Sequence, residues 1–320
     1  MRVVFLGTGK IARVHARRLR AYRDVELAFA SRELARAEAI ARELGGAAYP
    51  SYEAALAASD VDVVAIVTPP DSHQALALAA LAAGKHVVLE KPAFLRAADA
   101  DAVAEAAARA GRRVFVAENY HYQPVLGRLR ALLAERVIGD VVFIHVNAIR
   151  KQVTPGWRGT YGALYEGGVH WIDFMTKLGE VTDVHGHAPG RPAGQAERSM
   201  LVTFQYEGGA VGTVSYSWEV PATAKGLRLS KIYGRAGSIT FETNGLWVLC
   251  HGTRTRLYVP GLRDVSGYTA MWRDFVQAWR DDRDAGMTLA DARRDLALVE
   301  RAYATADIDP PPHLEPSSSI

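Results

Sequence analysis

A chain of 320 residues with 49% hydrophobic and 23% charged content has the composition of a soluble globular protein and room for about two domains. Its 38 basic and 35 acidic residues leave a net charge of +3, spread without a lysine or arginine block, which excludes the electrostatic stripe of a nucleic-acid binder. The single cysteine, Cys250 in LWVLCHG, excludes an internal disulfide and a multi-cysteine metal site, and reads as a buried structural thiol in a reducing, cytoplasmic compartment.

The start, MRVVFLGTG, carries one arginine before apolar residues, but the run is too short and ends in glycines, so no export signal is expected. RVVFLG followed by KIARVHARRLRAY, with Ile11, Val14 and Leu19 at helical spacing, predicts strand, tight turn and helix. The alternation returns in VELAFAS and ELARAEAIARELG, in VDVVAIVTP and SHQALALAALAAG, in HVVLEKP and AADADAVAEAAARAG, and in RVFVAEN and PVLGRLRALLAE. Strands buried on both faces between helices predict a doubly wound parallel sheet over residues 1–120, the α/β part of the fold. The most apolar run, residues 75–84, is far too short to span a bilayer, so no membrane partner is expected.

From GDVVFIHVNAIRK onward the texture changes. MLVTFQYEGGAVGTVSYSWEV, KGLRLSKIYGRAGSITFETN and GLWVLCHGTRTRLYVP read as hairpin strands with glycine turns, and YTAMWRDFVQAWRDD and TLADARRDLALVERAYATA as closing helices. Residues 121–320 are therefore expected to form an α+β domain with a mainly antiparallel sheet. The tail DPPPHLEPSSSI is expected to fray or lie extended.

Several motifs fall at the predicted carboxyl edge of the parallel sheet, where ligands bind in such folds. GTGKIA places Gly7, Gly9 and Ala12 between the first strand and its helix, with Lys10 and Ile11 in the same turn. The first glycine permits the turn, the second lets a pyrophosphate approach the backbone, and the small third residue lets helix pack on strand. At the end of the second strand stand Ser31 and Arg32, with Arg36 a turn later, where an NAD site usually carries a carboxylate for the ribose. A hydroxyl and guanidinium suit a 2′-phosphate, so NADP(H) is favoured over NAD(H); alternatively Arg32 is a solvated surface residue and Glu33 takes the ribose. In VTPPDSH, Thr68 and Pro69 are placed along the dinucleotide path, and His73 is grouped with them although it also fits a helix start.

LEKPAF puts Glu90, Lys91 and Pro92 at the same edge. A lysine ending a buried strand needs a partner, because desolvating an ammonium is costly; a reacting oxygen and an ion pair with Glu90 are both open. YEGGVHWID raises a different question. Its glycines, Gly167 and Gly168, precede a stretch of helical periodicity, each costing roughly 1 kcal/mol against alanine in a helix interior. Glu166 and His170, four residues apart, would share a helix face with that bare backbone between them. A carboxylate, an imidazole and a backbone without side chains suggest a small-molecule site. His185 and His187 in DVHGHAP lack a carboxylate or cysteine to complete a ligand set, and no metal is assigned.

GTGKIA, VTPPDSH, EKP, WRGTYGALYEGGVHWID and IYGRAGSITFE, in that order over nearly the whole chain, resemble the Gfo/Idh/MocA oxidoreductases of the glucose–fructose oxidoreductase and inositol dehydrogenase type. The resemblance implies an amino-terminal Rossmann domain for NAD(P), an active site between it and the second domain, and a second-domain open sheet that forms the interface of a homo-oligomer, dimer or tetramer. It maps the lysine of E-K-P onto Lys91 and the histidine of G-x-H-x-x-D onto His170, followed by Asp173. Four residues before that histidine the family usually has aspartate; here Glu166 keeps the charge and reaches one methylene further.

The chemistry expected is hydride transfer to or from a carbinol carbon of a sugar, cyclitol or related polyhydroxylated compound. His170 would be general base in oxidation and acid in reduction, and Lys91 would stabilise developing alkoxide. Glu166 would orient the imidazole or hold a neighbouring hydroxyl. Arg158 of the W-R pair binds substrate or cofactor or forms a surface ion pair; Asp173 touches substrate or anchors its helix; Asn119, Tyr120, His121 and Tyr122 line the substrate or pack between domains. The alternatives are a redox-neutral enzyme with a tightly held cofactor and a non-catalytic NADPH-binding sensor.

Overall fold

The computed structural model describes residues 1–153, 159–192, 194–222 and 227–308. The chain begins with β1 (Arg2–Leu6), α1 (Lys10–Leu19), β2 (Glu26–Ala30), α2 (Leu34–Leu44), β3 (Ala47–Tyr49), α3 (Tyr52–Ala57), β4 (Val63–Ile66), α4 (His73–Ala82), β5 (His86–Glu90), α5 (Ala97–Ala110) and β6 (Val114–Ala117). The six strands pair in the order β3-β2-β1-β4-β5-β6, all parallel. The order reverses between β1 and β4, the position at which open α/β sheets bind ligands beyond the strands' carboxyl ends. Val3 to Leu6 and Val63 to Ile66 are all buried, as strands covered by helices on both faces must be. Phe5 and Phe29 stack at 5.6 Å within this core. The β3–α3 pair was not expected from the sequence; three residues of strand are too few to show a period. Ser51 caps α3, its hydroxyl accepting the Ala54 N–H at 3.2 Å.

The second part comprises α6 (Pro124–Ala134), β7 (Val141–Ile149), a π-helical turn (Leu164–Gly168) running into α7 (Val169–Thr176), and β8 (Val181–His187), β9 (Ser199–Tyr206), β10 (Val211–Ser217), β11 (Leu229–Gly234), β12 (Gly237–Glu242), β13 (Val248–His251) and β14 (Thr255–Tyr258). They form one eight-stranded sheet in the order β14-β13-β12-β11-β7-β10-β9-β8, antiparallel throughout except where β7 meets β10. One face is apolar and carries α7: Phe174 stacks on Phe241 of β12 at 6.0 Å, Trp171 meets Phe174 edge-on at 5.4 Å, and the Tyr206 hydroxyl donates to the Met175 carbonyl at 3.1 Å. Cys250 is a buried free thiol on β13, its pKa raised by burial.

The chain closes with α8 (Tyr268–Arg280) and α9 (Leu289–Thr305). Contacts divide the described chain into a unit of Met1–Glu118 with Met271–Arg293 and a unit of Asn119–Ala270 with the residues from Arg294 onward. The first unit thus takes back most of α8. Phe115 of β6 packs its ring 5.1 Å from Phe275 and 5.3 Å from Trp279, and bridges its backbone to Thr288. Among the described residues no helix is long and apolar enough to cross a membrane.

Candidate active site

Within the first unit, the β1–α1 turn fits an anionic dinucleotide. Gly7 adopts φ of 109° while its N–H donates to the Ala30 carbonyl at 3.0 Å, and a Cβ there would press on the Val67 carbonyl oxygen at 3.1 Å. That combination of left-handed backbone and close approach requires glycine. Gly9, which immediately precedes α1, has nothing within 4 Å of where a Cβ would stand, and no side chain caps the first turn. The leading amide groups of α1 therefore face open space over bare backbone, the geometry that receives a pyrophosphate. Ala12 is fully buried where helix meets sheet, Ile11 is half-buried and Lys10 exposed.

At the end of β2, Ser31 is buried and its hydroxyl accepts the Glu33 N–H at 3.4 Å. Arg36, expected at a phosphate, closes on Glu33 instead with contacts of 2.9 Å from Nε and from a terminal nitrogen. Glu33 is thereby engaged, whereas Arg32 is exposed and has no carboxylate within ion-pair distance among the described residues. After β4, the Ser72 hydroxyl donates to the Pro69 carbonyl at 2.8 Å, so the Thr68 hydroxyl donates to Ser72 at 2.7 Å; Pro69 is exposed. His73 is a correction to the sequence expectation. Fully buried, it sets its ring nitrogens 3.0 Å from the Ala93 carbonyl and 2.9 Å from that of Thr68. Burial holds its pKa below the ordinary histidine value against both carbonyls, so the neutral ring donates to one of them at a time. It clamps the loop after β4 to the loop after β5, and no edge of it is left for a cofactor.

Glu90 ends β5 and Lys91 follows it, with the Lys91–Pro92 peptide cis. Glu90 is buried, and its Oε2 lies 2.8 Å from His15 Nε2; His15 Nδ1 accepts the Trp272 indole N–H at 3.0 Å. Because an indole can only donate, the His15 proton is assigned to Nε2, where it donates to Glu90. This chain from Trp272 through His15 to Glu90 escaped the sequence reading, since Trp272 and His15 lie 257 residues apart. The half-buried Lys91 follows directly on the carboxylate so held. A groove lined by Leu78, Leu81, Ala106 and Arg109 lies near the carboxyl ends of α4 and α5. In a parallel sheet that is the edge opposite the motifs.

In the second unit, Glu166, Gly167 and Gly168 occupy the π-helical turn and His170 the first turn of α7. What comes close to Gly167 is a phenol: a Cβ there would overlap the Tyr216 hydroxyl from β10, and one on Gly168 would stand 2.7 Å from Leu164 Cδ1. Turns of this kind recur at functional sites. Glu166 is buried within it. The His170 ring lies flat against Tyr120, centroids 4.2 Å apart and planes 12° apart, while Trp171 meets the same tyrosine edge-on at 5.0 Å. Burial, then the charges of Glu166 and Tyr120, push the Tyr216 phenol well above its ordinary pKa, so it stays protonated.

The turn has its own anchor. Glu197, 1% exposed, accepts the Leu164 N–H at 2.8 Å and the Tyr303 hydroxyl at 2.6 Å, and burial raises its pKa against both hydrogen bonds. Neither Glu197 nor Tyr303 stands out in the sequence. Asn119 is buried and donates to the Ser266 carbonyl at 2.6 Å, and Tyr122 is half-buried beside His121. Asp173 is 1% exposed and serves the protein interior: its Oδ1 lies 3.4 Å from His121 Nδ1 and 3.6 Å from Lys177 Nζ. Burial and the charge of Asp173 raise Asp295 well above the usual carboxylate range. Asp173 thus anchors α7, in place of the substrate contact also considered for it. Trp157 and Arg158 lie outside the described residues. His185 pairs with Asp183 at 3.1 Å, and among the described residues no three His, Cys, Asp or Glu cluster to hold a metal.

A glycine turn feeding a helix at the switch point of a parallel sheet, followed by an α+β domain carrying a histidine and a carboxylate on one face, defines a dinucleotide-dependent oxidoreductase architecture. The chain belongs to the Gfo/Idh/MocA family: residues 1–118 match the model of the oxidoreductase family's NAD-binding Rossmann fold, and residues 126–240 match that of the Gfo/Idh/MocA C-terminal domain. It is 29% identical to the UDP-N-acetylglucosamine 3-dehydrogenase of Acidithiobacillus ferrooxidans, over 82% of each chain. It is 28% identical to the D-glucoside 3-dehydrogenase of Escherichia coli, over 68% of this chain and 67% of that one. An Agrobacterium radiobacter oxidoreductase, solved with NAD+, L-tartaric acid and magnesium, superposes with a TM-score of 0.86 over 96% of both chains at 20% identity. The protein is an NAD-binding oxidoreductase.

Proposed function

We propose that the chain is a dehydrogenase or reductase that prefers NADP(H) and moves hydride between the nicotinamide and a carbinol or carbonyl carbon of a sugar, cyclitol or related polyhydroxylated compound. The observation that carries it is the half-buried His170 ring, four residues from the buried Glu166 and held flat on Tyr120. An oriented imidazole is suited to take a hydroxyl proton near neutral pH. The relatives' names, dehydrogenases of a UDP-amino sugar and of a glucoside, support the substrate class. When bound, the nicotinamide supplies the hydride acceptor or donor. His170 removes the hydroxyl proton in oxidation and returns it in reduction, Lys91 donates to the oxygen as alkoxide charge develops, and Glu166 holds a neighbouring hydroxyl or the imidazole. Incubating the protein with NADP+ or NAD+ and a panel of sugars and cyclitols should produce reduced nicotinamide in proportion to substrate consumed; no net reduction with any of them would defeat the assignment.

The cofactor preference rests on Arg32, which stands exposed while Glu33 is engaged by Arg36. Ser31→Asp combined with Arg32→Ala should move the kcat/KM ratio toward NAD by about tenfold or more, the worth of one hydrogen bond to a charged group at ~1.5–3 kcal/mol. An unchanged ratio would place the phosphate elsewhere.

A homo-oligomer is proposed from the outer face of the eight-stranded sheet, where Val211, Phe143 and Tyr233 sit side by side in register and exposed, with Leu249 beside Leu257 further along. Such apolar surface on an open sheet marks an association site. Light scattering should show a dimer or tetramer that Phe143→Asp dissociates; a monomeric native protein would remove the interface.

A further inference from the structure

The inner face of the same sheet gathers two arginines at the end of β7. Tyr216 pairs with Ala148, and the β7–β11 register sets Ile232 against Ile144. Continued two pleats on, that register brings Arg228, just before β11, to the row of Ala148 and Tyr216. Burial agrees: Ile144, Val146 and Ala148 are buried on β7, and so are Arg228, Ser230 and Ile232 on the neighbouring segment. Arg150 is two residues past Ala148 and shares its face by the strand's alternation. Gln152 follows, its amide 3.4 Å from the Tyr216 hydroxyl.

Arg228 is 5% exposed, and an arginine so buried ordinarily has a carboxylate in its fork. Here its side chain donates to the neutral amide oxygen of Asn244, and among the described residues no carboxylate lies within ion-pair distance. Glu242 is close by but committed: its Oε1 accepts from the Asn244 amide at 2.7 Å and its Oε2 from the Leu246 N–H at 3.3 Å. Arg150 adds a second positive charge that repels the first, and both act on Tyr216 and, in the case of Arg228, on Tyr120. Tyr216 underlies Gly167 and Tyr120 holds the His170 ring. Two like charges set on one face beside Tyr216 and Tyr120 suit the binding of an anionic group between them.

We propose that Arg228 and Arg150 form a subsite for an anionic group of the substrate, a phosphate or carboxylate, so that the compound oxidised is an acidic sugar derivative: a sugar phosphate, a nucleoside diphosphate sugar or a sugar acid. Resting on the sugar-oxidoreductase assignment above, it adds the charge of the substrate and the residues that read it. Arg228 supplies the fixed fork and Arg150 the exposed arm.

The test uses the full chain loaded with NADP+ or NAD+ and titrated by calorimetry with methyl glucoside, glucose 6-phosphate, glucuronate and UDP-N-acetylglucosamine. At least one of the three anionic compounds should bind tenfold or more tightly than the neutral glucoside. Arg228→Gln should abolish that difference while leaving the glucoside's affinity in place, and Arg150→Gln, at an exposed position that tolerates change, should reduce it and weaken its dependence on salt. The responding compound identifies the source of the anion. Equal binding of charged and neutral compounds, or a preference that survives both substitutions, would overturn the subsite. Anion-selective binding without turnover would instead count against the oxidoreductase assignment alone.

Discussion

Replacing His170 by alanine is expected to lower kcat by about 100- to 10,000-fold, the usual worth of a positioned acid–base group, with cofactor affinity unchanged. The ring is half-buried, and its loss removes a stacking contact with Tyr120 worth about 0.5–1.5 kcal/mol, so the fold should survive. Lys91→Ala should cost a comparable factor, and the double variant little more than the worse single one, because groups that act on one proton transfer are not additive. Steady-state kinetics on folded, cofactor-saturated variants checks this. Turnover within a few-fold of the native rate in the double variant would take both residues out of the chemistry, whereas a double variant that keeps native cofactor affinity and biological activity without turnover would favour a binding protein that senses the nucleotide.

The second large effect belongs to Gly167. A methyl group there would overlap the buried Tyr216 hydroxyl, and overpacking of this kind costs about 1–3 kcal/mol. Gly167→Ala should lower the melting temperature by about 2–4 °C for each kcal/mol lost, taking the range for domains of about 150–250 residues. Turnover should fall with it, since Glu166 and His170 flank the displaced backbone. Adding Tyr216→Phe removes the overlapping oxygen but leaves the ring carbon 2.9 Å from the new methyl, so recovery should be partial. Thermal melts of the native protein and both variants decide it: a Gly167→Ala protein as stable as the native one would mean that the tyrosine yields freely.

Gly167 also shows where a sequence stops being informative. The glycine pair signalled close approach, but nothing local says that the approaching group is a side chain from β10, 49 positions on in the numbering of Gly167 and Tyr216. The parallel strands were legible because they are buried on both faces, so an unbroken apolar run suffices; the hairpins were legible from alternation and glycine turns. β3 was too short to carry a period. The arginine-rich subsite depends on the register between β7 and β11, and the Trp272–His15–Glu90 chain on a helix returning from the far end of the chain. His15 occupies an apolar position of α1 where a polar ring needs a partner, which was the one available signal. Arg32 and Arg36 looked alike in sequence, and a neighbouring carboxylate separates them.

The return of residues 271–293 to the first unit has a consequence for how the molecule is made. The parallel sheet emerges from the ribosome first, yet the rings that cover Phe115 follow more than a hundred residues later. In the nascent chain β6 therefore waits with an apolar flank exposed, and a fragment cut after Glu118 would keep that flank permanently. In connectivity the larger part of the second unit, Asn119–Ala270, is a guest inserted before the last described segment of its host, and the host matures only once that insert has been synthesised.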